Sequence, residues 1–203
     1  MCGIFGMSAK FEVFPYLKEG LKKLEYRGYD SVGIATLYEN KIYVEKYVGG
    51  PENFDGKWMK GFLGIAHTRW ATHGKVSKEN SHPHLDCKKE FAIVHNGIIE
   101  NFLELKENLT KKGHKFKSET DSEVIAHLLE ELYEDKKDSR KLVEGIKDKI
   151  KGEYAICFIS THFPEKIFGI CYDKPLCVGI GKDCNYIASD PISFLDLTSK
   201  FFI

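Results

Sequence analysis

The second residue of this 203-residue chain is a cysteine, and that position gives it a chemistry that an interior cysteine lacks. Removal of Met1 leaves a thiol and a free α-amine on one residue. An α-amine has a pKa of about 8, against about 10.4 for lysine, so an appreciable fraction is an unprotonated base at neutral pH. The nucleophile then carries its own general base, as in the N-terminal threonine variant of triad logic. Composition alone favours a plainer view, an inert small residue. Three further segments supply matching groups. Arg69-Trp70-Ala71-Thr72-His73-Gly74 follows an apolar strand-like run, and an Arg held at a strand end can grip a carboxylate bidentately; a surface Arg stacked on Trp70 is the alternative. In His95-Asn96-Gly97, the Asn amide and the Gly backbone N–H form two convergent donors for an oxyanion. Read alone, Asn-Gly is more simply a hairpin turn. Asp121 in isolation is a helix cap, and equally a fixed carboxylate for a ligand ammonium group.

Five of the eight histidines (His67, His73, His82, His84, His95) fall between residues 67 and 95. The cluster invites a zinc reading, but no H-E-x-x-H occurs and only a loose Asp86/Cys87 stands nearby, so polar loop histidines and no metal are expected. Phosphate-cradling glycine loops are also missing: Gly179-Ile180-Gly181 lacks the third glycine and the following helix, which argues against nucleotide binding.

These groups need a rigid frame, and the periodicity predicts many short strands with three or four helices. Pro15 to about Leu24 reads as a helix with Leu17, Leu21 and Leu24 on one face. Gly33–Tyr38 and Lys41–Val48 read as strands joined at Glu39-Asn40, followed by strand runs at Phe62–Thr68 and Phe91–Asn96. The polar segment Arg69–Glu90 between those runs is long enough to be a functional loop. Phe102, Leu105 and Leu109 mark a helix stopped by Gly113. Thr120-x-x-Glu123 reads as a capping box opening the next helix, and Leu142, Val143, Ile146 and Ile150 mark another. Strands resume at Tyr154–Ser160, Lys166–Tyr172, Leu176–Ile180 and Tyr186–Ser189, and Phe201-Phe202-Ile203 looks like the start of one more, which suggests a piece of a longer protein. Strands in runs and helices in groups predict two packed sheets with helices outside, in one domain.

Hydrophobic residues make up 42% and charged residues 30%, ordinary for a globular chain. Thirty basic residues balance thirty acidic ones, against a nucleic-acid protein relying on a strongly basic field. No apolar run approaches the ~20 residues that cross a bilayer, and no signal-peptide pattern opens the chain. A cytoplasmic protein is expected. The six cysteines form no C-x-x-C pair; Cys157 and Cys171, in apolar runs, read as small buried hydrophobes.

Taken together, five ordered blocks are recognisable: Cys2-Gly3-Ile4-Phe5-Gly6, Leu24-Glu25-Tyr26-Arg27-Gly28-Tyr29-Asp30-Ser31, Gly64 to Gly74, His95-Asn96-Gly97-Ile98-Ile99-Glu100-Asn101 and Ser118-Glu119-Thr120-Asp121. They resemble the glutaminase domains of the glutamine–fructose-6-phosphate aminotransferases, type 2 glutamine amidotransferases, over essentially the whole of residues 1–203. The resemblance implies an α+β fold, the four-layer αββα sandwich of two antiparallel sheets of the N-terminal-nucleophile hydrolases. It implies hydrolysis of L-glutamine to glutamate and ammonia through a Cys2 thioester, with Asn96 and Gly97 as oxyanion hole and no cofactor. Arg69 would bind the substrate α-carboxylate and Asp121 its α-ammonium. Thr72, His73 and His82 would line the pocket, Trp70 would gate ammonia, and Arg27 would support the terminus. Fructose 6-phosphate would be a partner only through a C-terminal isomerase half that this chain lacks. Two alternatives remain: a related domain serving another acceptor, as in amidophosphoribosyltransferase, or a catalytically silent glutamine-sensing or interaction module.

Overall fold

A computed structural model describes residues 2–71, 74–133 and 138–203. In chain order its elements are β1 (Gly3–Ala9), α1 (Phe14–Lys23), β2 (Ser31–Tyr38), β3 (Lys41–Val48), β4 (Leu63–Arg69), β5 (His84–Leu85), β6 (Phe91–Ile99), α2 (Phe102–Lys111), α3 (Glu123–Leu132), α4 (Ser139–Lys149), β7 (Gly152–Ser160), β8 (Phe168–Tyr172), β9 (Cys177–Ile180), β10 (Cys184–Ala188) and β11 (Phe201–Phe202). The strands form a seven-stranded sheet, ordered β11-β9-β10-β1-β4-β2-β3, and a four-stranded sheet, ordered β5-β6-β7-β8. Every strand pair in both sheets is antiparallel.

Alternation along the strands builds three cores. On β1, Phe5 and Met7 pack with Leu17, Leu21 and Leu24 of the α1 segment on the outer face of the large sheet. Ile4 points the other way, joining Ile65 of β4, Val94 of β6 and Ala155, Cys157 and Ile159 of β7 between the two sheets. Phe91 and Ile93 of β6 face outward again, onto Leu105, Leu109, Val124, Ile125, Leu129, Leu142 and Ile146 of α2, α3 and α4. Helix, sheet, sheet and helices thus form the expected αββα sandwich.

Most predicted elements stand within a few residues of their expected ends. Pro15 lies in the first turn of α1, and Glu39 and Asn40 both have positive φ in the β2–β3 hairpin, as a primed two-residue turn requires. Three readings are corrected. Asn96-Gly97 is not a hairpin turn: β6 runs through it, pairing Asn96 with Ala155 and Gly97 with Tyr154. Cys157 is buried, but Cys171 is exposed, although it pairs with Ala155 on the face toward the large sheet, because β8 is the edge strand of the small sheet and is left uncovered there. The Thr120/Glu123 capping box does not form, because α3 begins only at Glu123, with Ser122 preceding it and no side-chain cap. Among the described residues no helix is long and apolar enough to cross a membrane.

Candidate active site

Cys2 immediately precedes β1, a central strand of the large sheet, and Gly3 pairs with Thr68 of β4, which brings the end of β4 beside the thiol. Trp70 N–H donates to Cys2 Sγ at 3.2 Å. Burial pushes the Cys2 thiol up, while the Trp70 hydrogen bond and the Arg69 charge oppose the rise. At neutral pH the sulfur therefore rests as a thiol.

The end of β4 is itself anchored. Asp30 accepts from Ala71 N–H at 2.7 Å, and its own N–H donates to the Arg69 carbonyl at 3.1 Å. Gly28 makes the approach fit, since a Cβ there would stand 2.7 Å from the Arg69 carbonyl carbon and 2.8 Å from Trp70 N. Tyr26 and Arg27, from the same block, both bind the Asp190 carboxylate, at 2.6 and 2.8 Å. The adjacent Ser189 hydroxyl accepts from Ile4 N–H at 2.9 Å, so Arg27 braces the strand that follows Cys2. Trp70 is 43% exposed, its ring edge-on to Tyr29 at 5.3 Å between centroids.

The small sheet contributes Asn96. Its Nδ2 donates to the Cys2 carbonyl at 2.8 Å, leaving the second amide proton available. His67 Nε2 stands 3.0 Å from Asn96 Oδ1 and 3.1 Å from the His95 carbonyl. Both partners are acceptors, so Nε2 carries the proton, and this bond fixes which way the Asn96 amide faces. Burial pushes the His67 pKa down to about 3, so the ring stays neutral. Gly97 follows with φ +123°, and a Cβ there would lie 2.0 Å from the Glu153 carbonyl oxygen of β7, so the position requires glycine.

Asp121 is not a helix cap. Its Oδ2 accepts from Ile99 N–H at 2.8 Å and its Oδ1 from the Ser122 hydroxyl at 3.3 Å, joining the segment before α3 to the end of β6. His95 Nδ1 lies 2.8 Å from Ser122 Oγ; burial lowers this imidazole to about 4, with Asp121 opposing. Arg69, 4% exposed, donates through Nη1 to the Lys75 carbonyl at 3.3 Å. Cys2, Arg69, Trp70, His82, Gly97 and Asp121 all line one small cavity. His82 is buried beside His67 and His84, at 4.1 and 4.6 Å between ring centroids. Among the described residues neither of its ring nitrogens has a hydrogen-bond partner. Thr72 and His73 lie outside the described residues. Of the residues expected to act, Cys2, Asn96, Gly97, Arg69, Trp70, His82 and Asp121 thus meet at one place.

This geometry can be set beside known proteins. A glutamine amidotransferase domain model matches residues 67–196. The chain belongs to the glutamine amidotransferase family. As a family member it is 48% identical to glutamine–fructose-6-phosphate aminotransferase (isomerizing) of Francisella tularensis, over 99% of this chain and 34% of that protein. It is 47% identical to the same-named protein of Aquifex aeolicus, over 100% of this chain and 35% of that one. The chain thus spans about a third of the length of these curated relatives. Among solved structures, glutamine phosphoribosylpyrophosphate amidotransferase from B. subtilis superposes with a TM-score of 0.80 at 27% identity, over 97% of this chain and 43% of that one. The sandwich is accordingly the N-terminal-nucleophile hydrolase fold.

Two groups at this cavity carry no signal in the sequence alone. His67 orients Asn96, and Asp30 holds the backbone after β4. Both lie in quoted blocks, yet their partners are distant in the chain, and spacing carries no signal for such pairs.

Proposed function

We propose that this chain, once Met1 is removed, hydrolyses L-glutamine to glutamate and ammonia, with Cys2 as nucleophile. The observation that carries the reading is the placement of Asn96 Nδ2 at 2.8 Å from the carbonyl of Cys2 itself, with Gly97 next along β6. The α-amine of Cys2 takes the thiol proton as Sγ attacks the side-chain carbonyl carbon of glutamine. The carbonyl oxygen becomes an oxyanion, held by the free Nδ2–H of Asn96 and the Gly97 N–H. Collapse expels ammonia with the proton held by the amine, leaving a thioester. Water, deprotonated by the same amine, then releases glutamate and restores the thiol.

Arg69 pairs with the substrate α-carboxylate. Asp121, whose two hydrogen bonds leave lone pairs unused, pairs with the α-ammonium. His82 lines the glutamine pocket, and Trp70 stands at the exit for ammonia. We infer further that residues 1–203 form one glutaminase unit. Its ammonia goes to fructose 6-phosphate, the acceptor in the relatives' name, on a part of those proteins that this chain does not span. The amidophosphoribosyltransferase likeness favours a different acceptor, but at 27% identity against 48% it is the weaker guide. Release of glutamate and ammonia from glutamine by the Met1-free protein tests the reading, and a Met1-free protein with an intact fold and no glutaminase activity would contradict it.

A further inference from the structure

On the helix side of the small sheet, away from Cys2, a second thiol sits in unusual company. Cys87 (just past β5), His114 (just past α2), and His127 and Glu130 (both on α3) bring one sulfur, two ring nitrogens and one carboxylate oxygen within 4.8 Å of one another. Cys87 Sγ is 3.5 Å from His127 Nδ1 and 4.0 Å from His114 Nδ1. Glu130 Oε2 is 3.3 Å from His114 Nδ1 and 3.9 Å from His127 Nδ1. A tetrahedral zinc with bonds of about 2.3 Å to sulfur and about 2.05 Å to nitrogen and oxygen separates S from N by about 3.5 Å, and N from O by about 3.3 Å. The shorter observed separations already equal those values.

The outward ring atoms point the same way. His114 Nε2 lies 3.3 Å from Glu131 Oε2, and His127 Nε2 lies 3.5 Å from Glu123 Oε1. The carboxylate behind His114 draws its ring proton to Nε2 and leaves the Nδ1 lone pair facing inward, the carboxylate–histidine–metal arrangement; His127 Nε2 makes no hydrogen bond among the described residues, so nothing there ties its ring proton to that nitrogen. Backbone donors steady the other two groups: Lys115 N–H donates to Cys87 Sγ at 3.3 Å, and Cys87 N–H to Glu130 Oε2 at 3.0 Å. One sulfur, two ring nitrogens and one carboxylate oxygen therefore converge. A cation satisfies all four at once.

We propose that Cys87, His114, His127 and Glu130 form a structural zinc site. Thiolate and imidazole ligands favour zinc over calcium or magnesium, and four protein ligands leave no open position for substrate. The ion would pin the loop after β5 and the loop after α2 to α3, the helix directly following Asp121. It takes no part in the reaction at Cys2. Spacing along the chain conceals the site, because its ligands come from three separate segments.

The test is metal content by mass spectrometry of protein purified without chelator or metal-affinity resin, followed by zinc titration of the stripped protein. About one zinc per chain is expected for the wild type, and the same for Cys2→Ser, which removes a thiol outside the cluster. Cys87→Ser should lose the stoichiometric zinc. Glu131→Gln should bind it roughly 10-fold to 100-fold more weakly, through its support of His114. Cobalt loading of the wild type should give tetrahedral visible bands with thiolate-to-cobalt absorption that disappears in Cys87→Ser. Stripped wild type that neither binds zinc nor gains thermal stability from it would overturn the proposal, as would zinc held equally by Cys87→Ser or lost in Cys2→Ser.

Discussion

Two thiols of this chain sit among polar partners, and their surroundings differ in kind. Around Cys2, donors and acceptors alternate: Trp70 N–H meets the sulfur, Asn96 Nδ2 meets the carbonyl, and His67 Nε2–H meets Asn96 Oδ1. Around Cys87, a sulfur, two ring nitrogens and a carboxylate oxygen face one another. A network of paired donors and acceptors is suited to hold a reacting group still. A convergence of lone pairs is suited to hold a cation. The same residue type thus serves opposite ends according to what the fold aims at it.

Removing each sulfur in turn tests this contrast most severely. Cys2→Ser should lower glutaminase activity by about a thousandfold or more and keep its zinc. Cys87→Ser should do the reverse. Loss of activity in both, or of zinc in both, would merge the two regions into one.

The next effect is at Asn96. Asn96→Ala should lower kcat by about 10²–10³, roughly 3–4 kcal/mol, with little change in KM, because its amide is needed as charge develops on the carbonyl oxygen. An effect on KM alone would make Asn96 an ordinary ground-state contact.

A subtler loss is expected at Asp121. Glutaramic acid lacks the α-amine of glutamine, so Asp121→Asn should reduce kcat/KM for glutamine by about 2–5 kcal/mol and for glutaramic acid far less. Arg69→Ala should weaken both, since both retain the carboxylate. Equal penalties on the two substrates in Asp121→Asn would leave that carboxylate only its bonds to Ile99 and Ser122.

The last effect falls on stability rather than on turnover. His67 and His95 have folded pKa values near 3 and 4, and burial holds His82 and His84 well below the ordinary 6.5. Because the unfolded chain binds these protons first, stability is full above pH 6.5. It falls below that pH by up to about 1.4 kcal/mol per histidine per pH unit, until His95 and then His67 protonate in place. Melting temperatures at pH 7.5 and 5.5, taken on Cys87→Ser to exclude acid release of zinc, should differ by many degrees. A flat profile would mean these rings are not buried as neutral partners.

Much of this was legible along the chain, and for a physical reason. Strand alternation, the Pro15 helix start and the Glu39-Asn40 turn are set by neighbours in sequence, so local chemistry predicts them. Asn96-Gly97 was ambiguous because the same dipeptide suits a turn, and only pairing with Ala155 and Tyr154 of β7 holds it extended. The capping box failed for a similar reason. Glu123 spends its carboxylate on Lys117 N–H and on the N–H and hydroxyl of Ser118, with its pKa near 2. Cys171 looked buried from its apolar run, but edge position is a property of the sheet. The Cys87 group was invisible because sulfur and imidazole come from segments 27 and 40 residues apart.

The central claim is that the thiol and its base share residue 2, and one comparison tests it directly. Two preparations of the wild-type chain, one with Met1 removed and one with Met1 retained as verified by intact mass, are assayed for glutamate release at saturating glutamine. The account predicts turnover in the first and almost none in the second, with equal melting temperatures. Equal turnover in both would contradict it, because the α-amine of residue 2 would then be an amide nitrogen that cannot take the proton.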